Sequence, residues 1–214
     1  MNGSRDRRGP QGRRGYHHGN LREALIDGAL NLIAEKGPAG FTIADAARLA
    51  GVSAAAPYRH FRDRDALMAE IARMGFEQFA DRLTAAWNGG KPELMRSFEN
   101  IGKAYLAFAR EEPAYYAAMF GGGVSPGGNP ELRQAADRAF EVLRDAAEAL
   151  SVTFPPQKRP PALMMALHIW AMSHGIASLF GGKSGRKTPM SPEELLEAGM
   201  LVYLQGLGFG PHGS

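Results

Sequence analysis

Residues 43–60 hold two helical stretches of about two turns each, joined through Gly51-Val52-Ser53. Helices that short do not persist alone in water, because the cost of nucleation falls on too few hydrogen bonds. Each must therefore be held by packing against the other and against a third element. The first stretch, Ile43 to Ala50, follows Thr42 as N-cap and carries the small residues Ala46, Ala47 and Ala50 before Gly51 stops it. The second, Ala54 to His60, follows Ser53 as its cap. Two helices crossing steeply through a short turn need small residues where they touch and glycine where the chain reverses, which is the pattern of a helix-turn-helix. At about 100° per residue, Pro57 and Phe61 mark the buried side of the second helix. Ala55, Ala56 and Arg59 then lie roughly opposite, with Tyr58 and His60 on the flanks. The alanines let the helix start approach base edges closely, while phenol, imidazole and guanidinium reach phosphates or bases.

The rest of the chain is also helical, with no convincing strand, so the expected class is all-α. Asn20 and Glu23 form a capping-box pattern, and Leu21, Leu25, Ala29, Leu32 and Ile33 keep helical spacing until Gly37-Pro38. Asp63 starts a longer helix through Leu67, Ile71, Phe76, Phe79 and Leu83, ending at Asn88-Gly89-Gly90. Further helices are expected near 92–110, 113–120, 130–150, 161–181 and 192–207, punctuated by proline and glycine. The helix beginning at Asp63 runs out of the first three and is expected to tie two parts of the protein together.

Composition narrows the function classes. The sequence has 214 residues, 44% of them hydrophobic and 22% charged, ordinary values for a globular chain with a sizeable core. It has no cysteine, which removes disulfides, thiolate metal sites and cysteine nucleophiles and fits a reducing cytoplasm. No apolar run is seen to reach the ~18 residues of a membrane span, and the charged N-terminus has no secretory h-region. A cytoplasmic location with no membrane partner is the expectation. Net charge is +3 and uneven: residues 1–75 hold 12 basic against 8 acidic side chains, and residues 76–214 hold 13 against 14. Arg5, Arg7, Arg8, Arg13 and Arg14 make residues 1–18 a basic arm, as expected of a polyanion-binding protein.

The stretch 41–67, FTIADAARLAGVSAAAPYRHFRDRDAL, resembles the helix-turn-helix of TetR-family transcriptional regulators. The matching features are Phe41-Thr42, the run Ala47 to Ser53, Tyr58-Arg59-His60-Phe61, and Arg64 three before Leu67. The segments 113–122 and 169–180 resemble the ligand-binding half of a subgroup marked by Trp-x-x-x-His-Gly, here Trp170, His174 and Gly175. The resemblance implies a homodimeric DNA-binding regulator, most simply a repressor released from an inverted-repeat operator on double-stranded DNA by a small effector. The implied DNA contacts are Thr42, Ser53, Ala54, Ala55, Tyr58, Arg59, His60 and Arg64, with Thr42, Tyr58, His60 and Arg64 at phosphates. The implied effector pocket is Tyr105, Phe108, Met119, Phe120, Trp170 and His174, whose apolar and aromatic character points to an apolar or aromatic effector. The implied dimer surface is Ala171, Gly175, Ser178, Leu196, Tyr203 and Leu207. The sequence departs from the family pattern at Ala54, Ala55 and Ala56, where polar base readers are common, and at Pro57, usually an apolar residue such as Leu. Readout is then expected to lean on methyl contacts, Tyr58 and DNA shape.

Catalytic and cofactor readings fare worse. Gly182-Lys183-Ser184 lacks the glycine five residues earlier that a phosphate-binding loop needs, since position 177 is Ala, and it follows a helix rather than opening one. His168 and His174 are six apart, about 240° around a helix, so they form no metal pair; His17-His18 sits in the basic arm. The expectation is no enzyme, metal or cofactor. A regulator on the same scaffold that needs no effector or activates, and a small helical enzyme using His174 or His168, remain as alternatives. The expected organisation is arm 1–18, DNA-binding domain 19–63, effector and dimerisation domain 64–207, and tail 208–214.

Overall fold

The computed structural model describes residues 21–180 and 189–209. The expected Asn20 cap, the arm 1–18, the Gly182-Lys183-Ser184 stretch and residues 210–214 lie outside them. Among the described residues there is no strand. The helices are α1 (Leu21–Lys36), α2 (Ile43–Leu49), α3 (Arg64–Trp87), α4 (Leu94–Glu111), α5 (Pro113–Gly121), α6 (Pro130–Ser151), α7 (Ala162–Phe180) and α8 (Pro192–Gly206).

Local chemistry sets most of the boundaries. Thr42 accepts from the Asp45 N–H at 3.2 Å while the Asp45 carboxylate accepts from the Thr42 N–H at 3.0 Å, a complete capping box for α2. Gly51 reverses the chain after it with φ 68°, a conformation that costs a side-chain-bearing residue steric strain. Asp63 caps α3 by accepting from Ala66 N–H at 2.8 Å, and Asn88 ends it in the left-handed region at φ 45°. Asn129 and Ser191 cap α6 and α8, each followed by a proline in the first turn.

The second half of the helix-turn-helix differs from expectation. In place of a helix over 54–60 there is one 3-10 turn, Ala56–Arg59, closed at its start by Ala56 N–H donating to the Ser53 carbonyl at 3.0 Å. Ser53 makes no side-chain cap. Pro57 has no N–H to donate to the Ser53 carbonyl, so the first α-type bond of a helix begun at Ser53 is missing and that carbonyl is taken by Ala56 instead. Pro57 and Phe61 are buried, as expected, and Tyr58 is 58% exposed.

Two hydrophobic cores result. The first joins α1, α2, Phe61 and the start of α3 through Leu25, Ala29, Leu32, Ile33, Phe41, Ala46, Leu67, Met68 and Ile71. The second joins the rest of α3 to α4, α6, α7 and α8 through Phe76, Phe79, Leu83, Phe98, Tyr105, Leu143, Met165 and Leu196. α3 contributes to both, and α5 adds Ala118 to the first and Met119 to the second. By length and composition α7 could cross a membrane, which amends the reading that no such stretch exists. Here it packs against α4, α6 and α8 through Met165, Ala166, Ile169, Ser173, Ile176 and Ala177.

An ion network ties α1 to α3. Glu70 accepts from Arg73 on its own helix and from Arg22 on α1, whose guanidinium also lies 5.7 Å from the Phe61 ring centroid. Burial alone would raise the Glu70 carboxyl, but the hydrogen bonds from Arg73 and Arg22 outweigh it and hold it below the ordinary carboxylate value. A depressed carboxyl stabilises the fold above its unfolded pKa and loses that contribution as pH falls through its folded pKa. Glu70→Gln is therefore expected to lower the melting temperature near neutral pH by several degrees. The gap to the parent should shrink in thermal melts below about pH 4, and a gap constant with pH would contradict the network.

Candidate functional site

Two regions gather chemistry. The first is the exposed tip around Gly51. Thr42, Ser53, Ala54, Ala55, Tyr58, Arg59 and His60 are all exposed, and the buried Pro57 and Phe61 anchor the turn beneath them. Arg59 makes no ion pair among the described residues, so its guanidinium is available to an anion, whereas Arg48 is held by Asp45 at 2.8 Å. The tip thus offers a guanidinium, a phenol, an imidazole and two methyl groups on a small protrusion, a set suited to phosphates and to the floor of a major groove.

Arg64 stands apart from this set. Its Nε donates to the Phe41 carbonyl at 3.1 Å, a terminal nitrogen donates to the Pro38 carbonyl, and its guanidinium lies 5.0 Å from the Phe41 ring centroid. The side chain expected at a phosphate is thus spent stapling the start of α3 to the α1–α2 loop. The physical reason is that this loop leaves carbonyls without helical partners beside a fork of donors that fits them.

The second region lies between α4, α5, α6 and α7. Of the residues expected there, Tyr105, Phe120, Trp170 and His174 do meet. Phe120 is 4.6 Å and Tyr105 6.4 Å from the His174 ring, and Tyr105 and Trp170 are 5.5 Å apart edge to face. Phe76, Phe79 and Phe140 extend the same wall. Phe108 and Met119 do not join it. Phe108 is fully buried against Phe79 with the Arg82 guanidinium 5.3 Å from its ring centroid, and Met119 is buried with its sulfur at the notch left by Gly75 on α3. Tyr116, not singled out in the sequence, belongs at the centre. Its hydroxyl lies 2.9 Å from His174 Nδ1, beside that of Tyr105 at 3.0 Å, and Ser178 Oγ lies 3.4 Å from His174 Nε2. The available signal was its spacing: Tyr116 and Phe120 are four apart and so share one face of α5.

Burial pushes the His174 imidazole below its ordinary value, leaving it neutral at about pH 7. Burial pushes both tyrosine hydroxyls up, so they stay protonated donors. Tyr116, Phe120, Phe140, Trp170 and His174 are each half-buried, and Ser178 beside His174 is exposed, so the cluster is not closed off from solvent.

The proposed dimer residues divide. Ala171 and Ser178 are exposed and Gly175 faces open space. Leu196, in contrast, is 1% exposed and sits against Gly102 of α4 in its own subunit's core. Tyr203 is half-buried and hydrogen-bonded to His168 at 3.1 Å, and Leu207 is half-buried against the same core. The exposed apolar surface is instead Leu163, Leu167 and Leu179 on α7 with Leu201 and Val202 on α8. The α8 helix is apolar on two faces, and Leu196, Met200 and Leu204 occupy the inward one.

Two family models match, Bacterial regulatory proteins, tetR family over residues 25–71 and Tetracyclin repressor-like, C-terminal domain over residues 98–203. The chain belongs to the tetR family. It is a DNA-binding transcriptional regulator with the family's helical C-terminal domain. A protein of unknown function from Rhodococcus sp. RHA1 shares 29% identity at TM-score 0.75, over 89% of this chain and 97% of its own. The TetR-family transcriptional regulator PfmR from Thermus thermophilus shares the fold at 22% identity and TM-score 0.65, over 85% and 97%. A tetR-family regulatory protein from Rhodococcus RHA1 does so at 17% identity and TM-score 0.67, over 88% and 97%. No curated protein matched the sequence.

Arg59→Ala is expected to flatten the slope of log affinity for DNA against log salt by about 0.9, one phosphate contact. Arg64→Ala should instead lower thermal stability by about 1–3 kcal/mol through the carbonyls it leaves unpaired, without changing that slope. Salt titrations and melts of both variants separate the two roles.

Proposed function

We propose that this tetR-family regulator is a cytoplasmic homodimeric repressor, released from an inverted-repeat operator when a small apolar or aromatic molecule enters the α4–α7 chamber. The observation that carries this reading is the two-sidedness of α5. Tyr116 and Phe120 face His174 in the chamber, while Ala118 is fully buried in the DNA-binding core and Gly121 lies beside Pro38 of the α1–α2 loop. A nine-residue helix wedged between two cores cannot shift at one side without repacking the other. A ligand that moves Phe120 therefore displaces the platform on which the helix-turn-helix sits.

The division into a DNA-binding part over 19–63 and an effector and dimerisation part over 64–207 is functional; mechanically, α3 and α5 belong to both. Pairing of two copies through Leu163, Leu167, Ala171 and Gly175 of α7 and Leu201 and Val202 of α8 would cover an apolar strip that is otherwise costly to leave in water. Two-fold pairing places the two recognition turns on half-sites about 34–36 Å apart or a multiple of this. An inducer must bind the DNA-incompetent arrangement better, and a preference of about 100-fold is equivalent to about 2.7 kcal/mol of coupling.

Selection of bound sequences from random DNA is expected to return a two-fold repeat. Val202→Glu, placing charge where the parent is 69% exposed, should give a folded monomer with weak operator binding, read by light scattering and gel shift. In a screen of apolar compounds, Phe120→Ala and Trp170→Ala should weaken binding and DNA release together. A stable pair of variants that leaves both untouched would place the effector elsewhere, and a screen in which no compound alters DNA affinity would favour an effector-independent regulator.

A further inference from the structure

The backbone around Pro57 repeats every three residues. Ala56 N–H donates to the Ser53 carbonyl at 3.0 Å and His60 N–H to the Pro57 carbonyl at 2.9 Å. Ala55, between Ser53 and the turn, already has helical angles at φ −84° and ψ −19°. In a 3-10 turn, side chains three apart eclipse one another. Ala55 therefore stands in line with Tyr58, and Ala56 with Arg59. Pro57 is buried and Ala56 half-buried, whereas Ala55 and Tyr58 are both exposed. The outermost ridge of the recognition turn is thus a methyl group beside a phenol ring.

Most polar side chains around this ridge are already committed. Thr42 Oγ1 donates to the Asp45 carboxylate at 2.8 Å and accepts from the Asp45 N–H. Arg48 is held by Asp45 and Arg62 by Asp63, each at 2.8 Å, and Arg64 is stapled to the carbonyls of Phe41 and Pro38. The side chain of Ala55 itself has no donor or acceptor, so it senses a base by contact alone. Among the four bases, thymine is the one that presents a methyl group in the major groove, at C5. Cytosine has a bare C5 and also carries an N4 donor where thymine has an O4 acceptor. An alanine methyl gains from the first difference and is indifferent to the second.

Resting on the operator reading above, we propose that Ala55 is a specificity-determining residue that reads the C5-methyl group of one pyrimidine in each half-site. The Tyr58 ring beside it shields the contact from water. At this position the protein prefers thymine to cytosine, and the contact does not tell thymine from 5-methylcytosine. Selection of this kind resides in a ratio of affinities, and loss of one methyl on either partner should erase it.

The test uses the full-length protein and the operator selected from random DNA. Each half-site thymine is replaced in turn by deoxyuridine, which lacks only the methyl, and its base pair separately by cytosine–guanine or 5-methylcytosine–guanine. Affinities are read by fluorescence anisotropy at one salt concentration. At one thymine at least, deoxyuridine is expected to weaken binding about fourfold per half-site, or about 15-fold when both are changed. At the same position 5-methylcytosine should bind more tightly than cytosine by a similar ratio. Ala55→Gly, whose backbone angles glycine adopts freely, should bring both ratios close to one. A melting curve checks that this variant is folded. A loss with deoxyuridine but no gain with 5-methylcytosine would place a hydrogen bond at thymine O4 and overturn the alanine contact. Ratios unchanged in Ala55→Gly would overturn the role of that residue, and a site indifferent to deoxyuridine throughout would overturn methyl readout while leaving DNA binding standing. If the selection returns no common sequence, the operator reading falls together with this one.

Discussion

Leu67, Met68 and Ile71 are buried beneath α1 and α2, and over the next 12 residues Phe76, Phe79 and Leu83 are buried beneath α4 and α6, all on one unbroken helix. At 1.5 Å per residue, the 24 residues of α3 make a rod of about 36 Å that neither core can release separately. Its start is fixed twice over, by the Asp63 cap and by Arg64 reaching back to the carbonyls of Pro38 and Phe41. Glu70 then binds Arg22 of α1, so the DNA-binding core is pinned to α3 by polar contacts as well as by burial. The rest of the protein hangs from this rod, and any movement of the recognition turn must pass along it or around it.

The way around it is α5. It lies close to α3 at Gly75: a Cβ there would lie 2.8 Å from Met119 Sδ and 3.3 Å from Tyr115 Cβ, so any larger residue would require the Met119 side chain to shift. Closeness makes the short helix a poor absorber of strain. A change at Phe120 or Tyr116 has no compressible layer to dissipate in before it reaches Ala118. The polar cluster at Tyr105, Tyr116 and His174 sits at the end of this lever, and its hydrogen bonds are shared, two hydroxyls to one imidazole nitrogen. A shared network of this kind is more readily rearranged by a ligand than one in which every group has its own partner.

Much of the site was legible in the sequence, and the exceptions have specific causes. The buried Pro57 and Phe61 and the exposed Tyr58 followed from helical angles, although Pro57 shortened the element to a single 3-10 turn. Tyr105, Phe120, Trp170 and His174 converge as expected, yet Phe108 and Met119, on the same helices, turn to other neighbours. The staple made by Arg64 was not legible, because its sequence position, in the first turn of a helix beside basic residues, does not reveal that two carbonyls 23 and 26 residues away lie within reach. Leu196 was assigned to the outer surface because α8 carries apolar residues on both sides, and periodicity alone ranks neither side as inner.

Caps, glycine reversals and 3.6-residue spacing are properties of neighbours in the chain, so the sequence alone determined the helical class, the helix starts and the Gly51 turn. It also determined the positive bias of the first third. Which of two apolar faces is buried, which aromatic residues meet at His174, and whether an arginine faces solvent or a carbonyl depend on contacts between residues far apart in sequence. Those contacts exist only once α3 and α5 have brought the two cores together. Local stereochemistry constrains each helix by itself, but the side-chain partners of Tyr116, Arg64 and Leu196 are set by close packing among several helices at once, and only the tertiary structure decided them.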